Sequence, residues 1–345
     1  MNKVFGCTLL FFLLLANVSF SQHLFGVVLD VNTKEPIAGA SVYFDNTTVG
    51  TITSFQGEFS FDLENKIGSP LVISFVGYKT ITITSLEYDK KYEVLLEEDI
   101  SALDEVFIEY EDEWTRSYKL KQFKEQFLGF SKFSKACKIL NEDDIVLRFN
   151  TTKMQLSAST KRPLIIKNEA LDYEITYDLK EFVVQYNAKG DIRVTVKNNK
   201  DNWYVLHSVY YSGTSFFKTE ISKKHKRALK NREKAYEGSV LHFMRSISSG
   251  RLKEERYKIF KGSSQVNPAY YIFTKKNDSL NTTEVTIPNE INILHKNKQS
   301  IIRSEVKTFA IDVYGNHSPI EQVLFGGFMG NQRVGDALPL GYGLK

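Results

Sequence analysis

The stretch that decides the fold of the N-terminal part is Gly57-Glu58-Phe59-Ser60-Phe61-Asp62-Leu63, in which Phe59, Phe61 and Leu63 alternate with polar residues. Successive side chains of a β-strand point to opposite faces, so this period of two predicts a strand with one buried face. Thr80-Ile81-Thr82-Ile83-Thr84 repeats the pattern. Turn residues separate such runs about every 8–12 residues, which is typical of a small sandwich. We therefore predict a β-sandwich over residues 22–98.

Further motifs in this region resemble a known family. Gly26-Val27-Val28-Leu29-Asp30, the run from Glu35 to Val42, Gly50-Thr51-Ile52-Thr53 and the run from Leu71 to Tyr78 are similar to the carboxypeptidase regulatory-like domain. The resemblance extends to the form found in front of TonB-dependent transporters of Bacteroidetes and covers residues 23–108. It implies a seven-stranded, transthyretin-like sandwich with no catalytic role. Ser54 stands where the family usually has aspartate, and serine makes the same turn bond more weakly.

The first 21 residues have the features of a secretory signal. Lys3 precedes an apolar stretch from Val4 to Ala16, and the segment ends in small residues before Gln22. A single N-terminal anchor is the alternative, although this stretch is shorter than the ~20 residues of a spanning helix. We expect an exported protein that is periplasmic or associated with the outer membrane.

The cysteines agree with a chain that folds without disulfides. Loss of the signal segment removes Cys7 and leaves Cys137 alone, so no bridge within the chain is expected. Cys137 has no histidine near it in the sequence, which favours an inert thiol over a nucleophile.

The overall composition is that of a globular protein. The chain has 345 residues, of which 42% are hydrophobic and 25% charged, and its net charge is +4. Nearly balanced charge argues against a dedicated nucleic-acid binder. A chain of this length exceeds what a single hydrophobic core usually organises, so we predict two domains. The acidic residues Glu109 and Glu111-Asp112-Glu113 indicate a linker at residues 99–113, and the second domain follows at residues 114–345.

The second domain is predicted to be α+β. Trp114, Tyr118, Phe123 and Phe127 recur at near-helical spacing, which predicts an amphipathic helix that ends near Leu128. That helix either docks on the domain or lies on a membrane surface.

Strand-like runs fill most of the remaining sequence. They extend from Ile145 to Thr219 and from about Tyr257 to Val313, on either side of a helical pattern from Leu229 to Ile247. The whole chain is therefore predicted to be mainly β, with an antiparallel sheet and about two helices in the second domain.

Parts of the second domain resemble an uncharacterised group of Bacteroidetes envelope proteins. Those proteins pair the same sandwich with such a C-terminal region and carry no established activity. The similar segments are 121–129, 137–141, 170–179, 236–245 and 333–340.

One basic segment is the candidate contact site. It binds a phosphate-rich envelope polymer, an acidic partner or, as a third option, nucleic acid, or it is a solvated helix face beside Glu233 and Glu237. Its cationic residues are Lys223, Lys224, Lys226, Arg227, Lys230, Arg232 and Lys234.

Tyr43, Phe55 and Tyr78 of the sandwich are candidates for a protein or glycan contact, with core packing as the alternative for at least two of them.

No residue is assigned to catalysis, a cofactor or a metal. None of the six histidines begins an H-x-x-E or H-E-x-x-H pattern, and no phosphate-binding loop or serine elbow occurs.

Three hypotheses about the function stay open. The first is a non-catalytic binding or scaffold protein of the envelope. The second is an envelope hydrolase with its site in residues 114–345, and the third is an accessory of a TonB-dependent transporter.

Overall fold

The structure is a computed structural model that describes residues 22–63, 67–99, 114–188, 195–197, 203–219 and 225–344. The predicted signal segment, the linker from residue 100 to 113, and Lys223 and Lys224 lie outside these residues. The chain divides into two compact units. The first consists of Met1–Tyr43 and Gly50–Ile100, and the second of Phe44–Val49 and Ser101–Lys345.

The first unit contains two small sheets. Its strands are β1 Gln22–Asp30, β2 Ser41–Phe44, β3 Gly50–Ile52, β4 Glu58–Leu63, β5 Leu71–Ser74, β6 Ile81–Ile83 and β7 Lys91–Leu96. One sheet has the order β4-β1-β7 and the other β3-β2-β5-β6. β1 pairs antiparallel with β4 and parallel with β7, so one pairing departs from the antiparallel pattern that alternation had suggested.

The alternation along β4 is realised in the structure. Phe59, Phe61 and Leu63 are buried, whereas the polar residues between them are exposed. Ser54 makes the turn before this strand, because its hydroxyl accepts hydrogen bonds from the backbone N–H groups of Gln56 and Glu58. The predicted seven-stranded sandwich is confirmed.

The second unit is built around a seven-stranded sheet. Its strands are β8 Cys137–Ile139, β9 Ile145–Asn150, β10 Gln155–Thr160, β11 Leu164–Asn168, β12 Tyr173–Ala188, β13 Thr195–Lys197 and β14 Trp203–Thr219. The long strands β12 and β14 pair antiparallel over most of their length. Helix α1, Arg116–Leu128, packs on this sheet, and Phe123 and Phe127 are fully buried in its core. The helix therefore docks on its own unit, as the first of the two alternatives predicted.

The predicted helix from Leu229 to Ile247 is two helices in the structure. α2 spans His225–Tyr236 and α3 spans Val240–Ser248. Gly238 lies between them with φ +72°, a conformation that residues with a Cβ rarely adopt. Ser239 begins α3 as its N-cap, since its hydroxyl accepts a hydrogen bond from the His242 N–H. Periodicity alone does not show this break, because the apolar spacing from Leu229 to Ile247 continues through it, although Leu229 itself is exposed in the structure.

Two smaller antiparallel sheets complete the second unit. Their strands are β15 Tyr257–Lys261, β16 Ser264–Val266, β17 Phe273–Asn277, β18 Thr282–Thr286, β19 Glu290–His295, β20 Lys298–Ser304, β21 Phe309–Asp312, β22 His317–Ser318 and β23 Val323–Gly326. A four-residue helix, α4 Gly327–Gly330, follows β23. None of the helices in the described ranges is long and apolar enough to cross a membrane. The predicted class, mainly β with an α+β second domain, is confirmed.

The segment after α4 is an internal part of the second unit. The side chain of Asn168 donates to the carbonyl of Gly335, and Arg333 Nε donates to the carbonyl of Gln126. The guanidinium of Arg245 donates to the carbonyls of Tyr314, Leu340 and Tyr342. Hydrogen bonds with α1, β11 and α3 therefore hold the C-terminal segment in place.

Candidate functional site

The basic segment lies largely on α2, where it separates into two sides. Lys226, Arg227, Lys230 and Lys234 are exposed, whereas Ala228, Arg232 and Ala235 point into the unit. We call the four exposed cationic side chains the basic face. Because the apolar and buried residues hold the helix on the unit, the basic face is presented outward.

Arg232 belongs to the predicted contact set but is buried in the structure. Only 5% of it is exposed, and its guanidinium donates to the carbonyls of Leu171 and Asp172. The guanidinium carbon also lies 3.8 Å from the centre of the Tyr173 ring. Arg232 therefore joins α2 to the turn before β12 and is unavailable to a partner.

The four side chains of the basic face form no ion pair with any described residue. Some other surface cations of this unit do have acidic partners: Lys138 with Glu169, Arg162 with Asp144, Lys180 with Asp178, and Arg303 with Glu290. The basic face thus concentrates positive charge on one side of a helix that also carries the exposed Glu233, and the excess of cations raises the potential at this surface.

A small groove adjoins the basic face. Its cavity volume is about 260 Å³, and it is lined in part by Arg227 and Asn231 of α2 and by Lys132. Lys132 has no ion-pair partner among the described residues, and Glu169 at the groove is already paired with Lys138. The groove therefore extends the positive surface from α2 toward the loop that follows α1.

The three aromatic residues proposed as contacts in the sandwich have different environments. Tyr43 is buried, and the Tyr78 hydroxyl donates to the carboxylate of Asp30 at 3.0 Å. Phe55, in contrast, is 90% exposed, and the neighbouring Ile52 is 68% exposed. Both line an open groove of about 1000 Å³ between strands of the first unit. Of the three, only Phe55 is placed to contact a partner through its ring.

A second cavity, in the second unit, was missed by sequence reasoning. It has a volume of about 410 Å³ and is lined by β12, β14, the start of α3, the loop before β22 and the C-terminal segment. We call it the cleft. Tyr177, Tyr211 and His317 contribute polar groups, and Val240 and Leu338 contribute apolar wall. One local signal existed: Gly213 inside a strand indicates a close approach of other atoms.

The charged groups of the cleft are engaged in structural hydrogen bonds. Arg333 donates to the carbonyls of Gln126 and Gly330, and the Asp336 carboxylate accepts from the Arg333 backbone N–H at 3.4 Å. Asp45, from the segment 44–49 of the same unit, accepts from the Ser215 N–H. Burial raises the pKa of both Asp45 and Asp336.

His317 is the histidine of the cleft. Burial lowers the pKa of its imidazole to about 4, so the ring is neutral near pH 7. Its ring packs edge-on against Phe325, and no hydrogen bond joins it to a described residue.

The thiol of Cys137 lies outside the cleft. Burial raises its pKa to about 12, and Sγ donates to the carbonyl of Phe133 at 3.5 Å. A neutral, partly buried thiol is a poor nucleophile. Within the described ranges, no group of three or more His, Cys, Asp or Glu side chains has the arrangement of a metal site.

Comparison with known proteins identifies the N-terminal segment. Residues 24–108 match the CarboxypepD_reg-like domain family, so the resemblance predicted for this segment is confirmed. Over 83 residues the chain is 41% identical to the TonB-dependent receptor SusC of Bacteroides thetaiotaomicron. That alignment covers 24% of this chain and 8% of the receptor, so the chain spans less than a tenth of this curated relative.

A solved structure of a proposed carbohydrate-binding protein from Bacteroides uniformis aligns with 88% of this chain and 98% of its own. The identity is 8% and the TM-score 0.18, values at which the alignment supports no statement about this chain.

Proposed function

We propose that the protein is a non-catalytic binding or scaffold protein of the cell envelope, in which the basic face of α2 contacts an anionic partner. The observation that carries this proposal is the clustering of four exposed cations on one helix, none of which forms an ion pair with a described residue. Maintaining four like charges on one helix without acidic partners opposes folding slightly, since repulsion at i, i+4 spacing costs a few tenths of a kcal/mol. An anionic partner relieves that repulsion.

The sandwich supports the envelope assignment and supplies an interaction module. Its similarity to a segment of a TonB-dependent receptor favours export and a place beside TonB-dependent transporters. Phe55 and Ile52 offer an exposed apolar contact on this unit. Burying large apolar side chains against a partner removes them from water, and this contributes favourably to the free energy of binding. An accessory role for a transporter is thus one form of the proposed scaffold function.

A retention experiment tests the proposal. The purified chain is immobilised and exposed to a detergent extract of the envelope at about 150 mM salt. A variant with K226Q, R227Q, K230Q and K234Q removes the basic face while keeping long polar side chains. We expect the variant to lose partners that the wild type retains, and the retained partners to elute at high salt, because salt screens exposed charges.

The matched control replaces four cations of the same unit that already have acidic partners: K138Q, R162Q, K180Q and R303Q. It changes the net charge by the same amount. Equal loss of partners in the two variants means that net charge, rather than the basic face, is responsible, and unchanged retention in the α2 variant overturns the proposal.

A hydrolase is the second candidate, because the cleft brings a histidine and a carboxylate, His317 and Asp336, to one cavity. A histidine and a carboxylate perform general acid–base chemistry when they are within reach of a substrate and free to exchange protons. The test is release of p-nitrophenol from p-nitrophenyl acetate and p-nitrophenyl glycosides. Turnover that H317Q abolishes favours the hydrolase, and turnover that H317Q leaves unchanged excludes this site as its source.

A further inference from the structure

The cleft contains polar groups that the protein itself does not use. The hydroxyls of Tyr177 and Tyr211 and the imidazole of His317 form no hydrogen bond with a described residue. Polar groups inside proteins nearly always have a partner, so those that open into a cavity are available to water or a ligand. Two hydroxyls and one imidazole of this cleft are therefore available to a ligand.

The pairing of two strands brings the tyrosines to one side of the sheet. Tyr177 lies opposite Ser215 in the β12–β14 ladder, and Tyr211 is four residues from Ser215 along β14. Residues separated by an even number share a face of a strand, so both tyrosines face the cleft from the same surface.

Neighbouring residues fix the positions of the two rings. Phe127 of α1 meets the Tyr177 ring edge-on at 5.0 Å and the Tyr211 ring at 5.4 Å between centroids. A Cβ on Gly213 would lie 2.6 Å from the Tyr177 ring, so only glycine leaves room for it. The hydroxyls are thus held by packing before any ligand arrives, which reduces the entropy lost on binding.

The electrostatics of the cleft favour a neutral ligand. Arg333 and Asp336 are already hydrogen-bonded within the protein. The free groups are uncharged near pH 7, because tyrosine ordinarily titrates near pH 10 and burial lowers the pKa of His317 to about 4. Val240, Leu241, Met329, Leu338 and Leu340 supply apolar wall. The volume of about 410 Å³ lies within the range of small-molecule sites.

We infer that the cleft binds a neutral sugar residue, whose hydroxyls hydrogen-bond Tyr177, Tyr211 and His317 while its C–H face packs on the apolar wall. A sugar ring fits because it carries donors, acceptors and an apolar face on one small body. This site is separate from the basic face, so the inference does not depend on the proposed anionic partner.

Saturation-transfer NMR with small neutral glycosides tests the inference. The purified chain is mixed in turn with methyl α-glucoside, methyl α-mannoside, methyl β-galactoside and N-acetylglucosamine. We expect saturation transfer to at least one of them, with the C–H protons of one ring face receiving most of it. Y177F and Y211F each remove only a hydroxyl, and each should weaken binding by about 3-fold to 10-fold, the usual worth of one hydrogen bond.

Tyr210 provides the matched control, because it is half-exposed on the opposite face of β14. Y210F should bind as the wild type does. Thermal melting of all three variants checks that the fold is retained. The inference is overturned if no neutral glycoside binds, if Y177F and Y211F bind as tightly as wild type, or if glucose 6-phosphate binds more tightly than methyl α-glucoside.

Discussion

Arg245 should be the most sensitive single position of the second unit. Only 8% of it is exposed, yet its charged guanidinium donates to the carbonyls of Tyr314, Leu340 and Tyr342. It therefore joins α3 to the loop before β22 and to the C-terminal segment, which line the cleft. Leucine in its place removes three charge-assisted hydrogen bonds and leaves the carbonyls without these donors.

The magnitude follows from those contacts. A hydrogen bond to a charged group contributes about 1.5–3 kcal/mol to stability. Burying the guanidinium of Arg245 costs free energy in the wild type, and because leucine avoids that cost, the variant loses less than the sum of the three bonds. We expect R245L to lower the free energy of unfolding by about 3–5 kcal/mol, or the melting temperature by roughly 10 °C. R245K keeps the charge without the planar fork and should fall between R245L and the wild type.

Urea unfolding followed by tryptophan fluorescence measures this change, since Trp114 and Trp203 both belong to the second unit. Arg251 is the control: its side chain is 56% exposed and its guanidinium is 4.0 Å from Glu255. R251L should change stability by less than about 0.5 kcal/mol. If R245L and R251L unfold at the same urea concentration, the carbonyl contacts of Arg245 do not contribute as argued.

Three further changes probe other parts of the second unit. G213A places a Cβ 2.3 Å from the Asp178 carbonyl and should destabilise the unit by about 1–3 kcal/mol, whereas G341A, which meets nothing within 4 Å, should be neutral in the same urea titration. Burial lowers the pKa of His295 to about 4, so the unfolded state binds more protons between about pH 4 and 6.5 and stability falls as pH decreases through that range. H295Q should lose less stability than wild type between pH 6.5 and 4.5, and an identical loss in both chains contradicts the assignment. Because burial raises the pKa of the Cys137 thiol to about 12, iodoacetamide should modify it at pH 8 far more slowly in the native chain than in urea. Mass spectrometry of the peptide containing Cys137 measures both rates, and comparable rates would contradict a thiol whose pKa is raised by the folded structure.

Local sequence patterns were sufficient for elements whose two faces differ. The alternation around Phe59 predicted β4, and the spacing of Phe123 and Phe127 predicted a helix that ends at Leu128. Ordered glycine and proline motifs were sufficient to predict the sandwich. In each case the burial pattern follows from the geometry of one strand, one helix or one turn.

Other features depend on residues that are distant in the sequence. Arg232 has the same local surroundings as its exposed neighbours, and only the approach of Leu171 and Asp172 makes it a buried contact. The parallel pairing of β1 with β7 and the division into several sheets likewise require knowledge of which strands meet.

The amino-acid sequence by itself determined the class of the protein, the sandwich and the existence of one strongly basic helix, because these follow from composition and short-range periodicity. Tertiary structure alone decided which cations remain on the surface and that Tyr177, Tyr211 and His317 share a cleft. The physical reason is that a site is formed by side chains from separate strands and loops, and their distances are set by packing of the whole unit rather than by their positions along the chain.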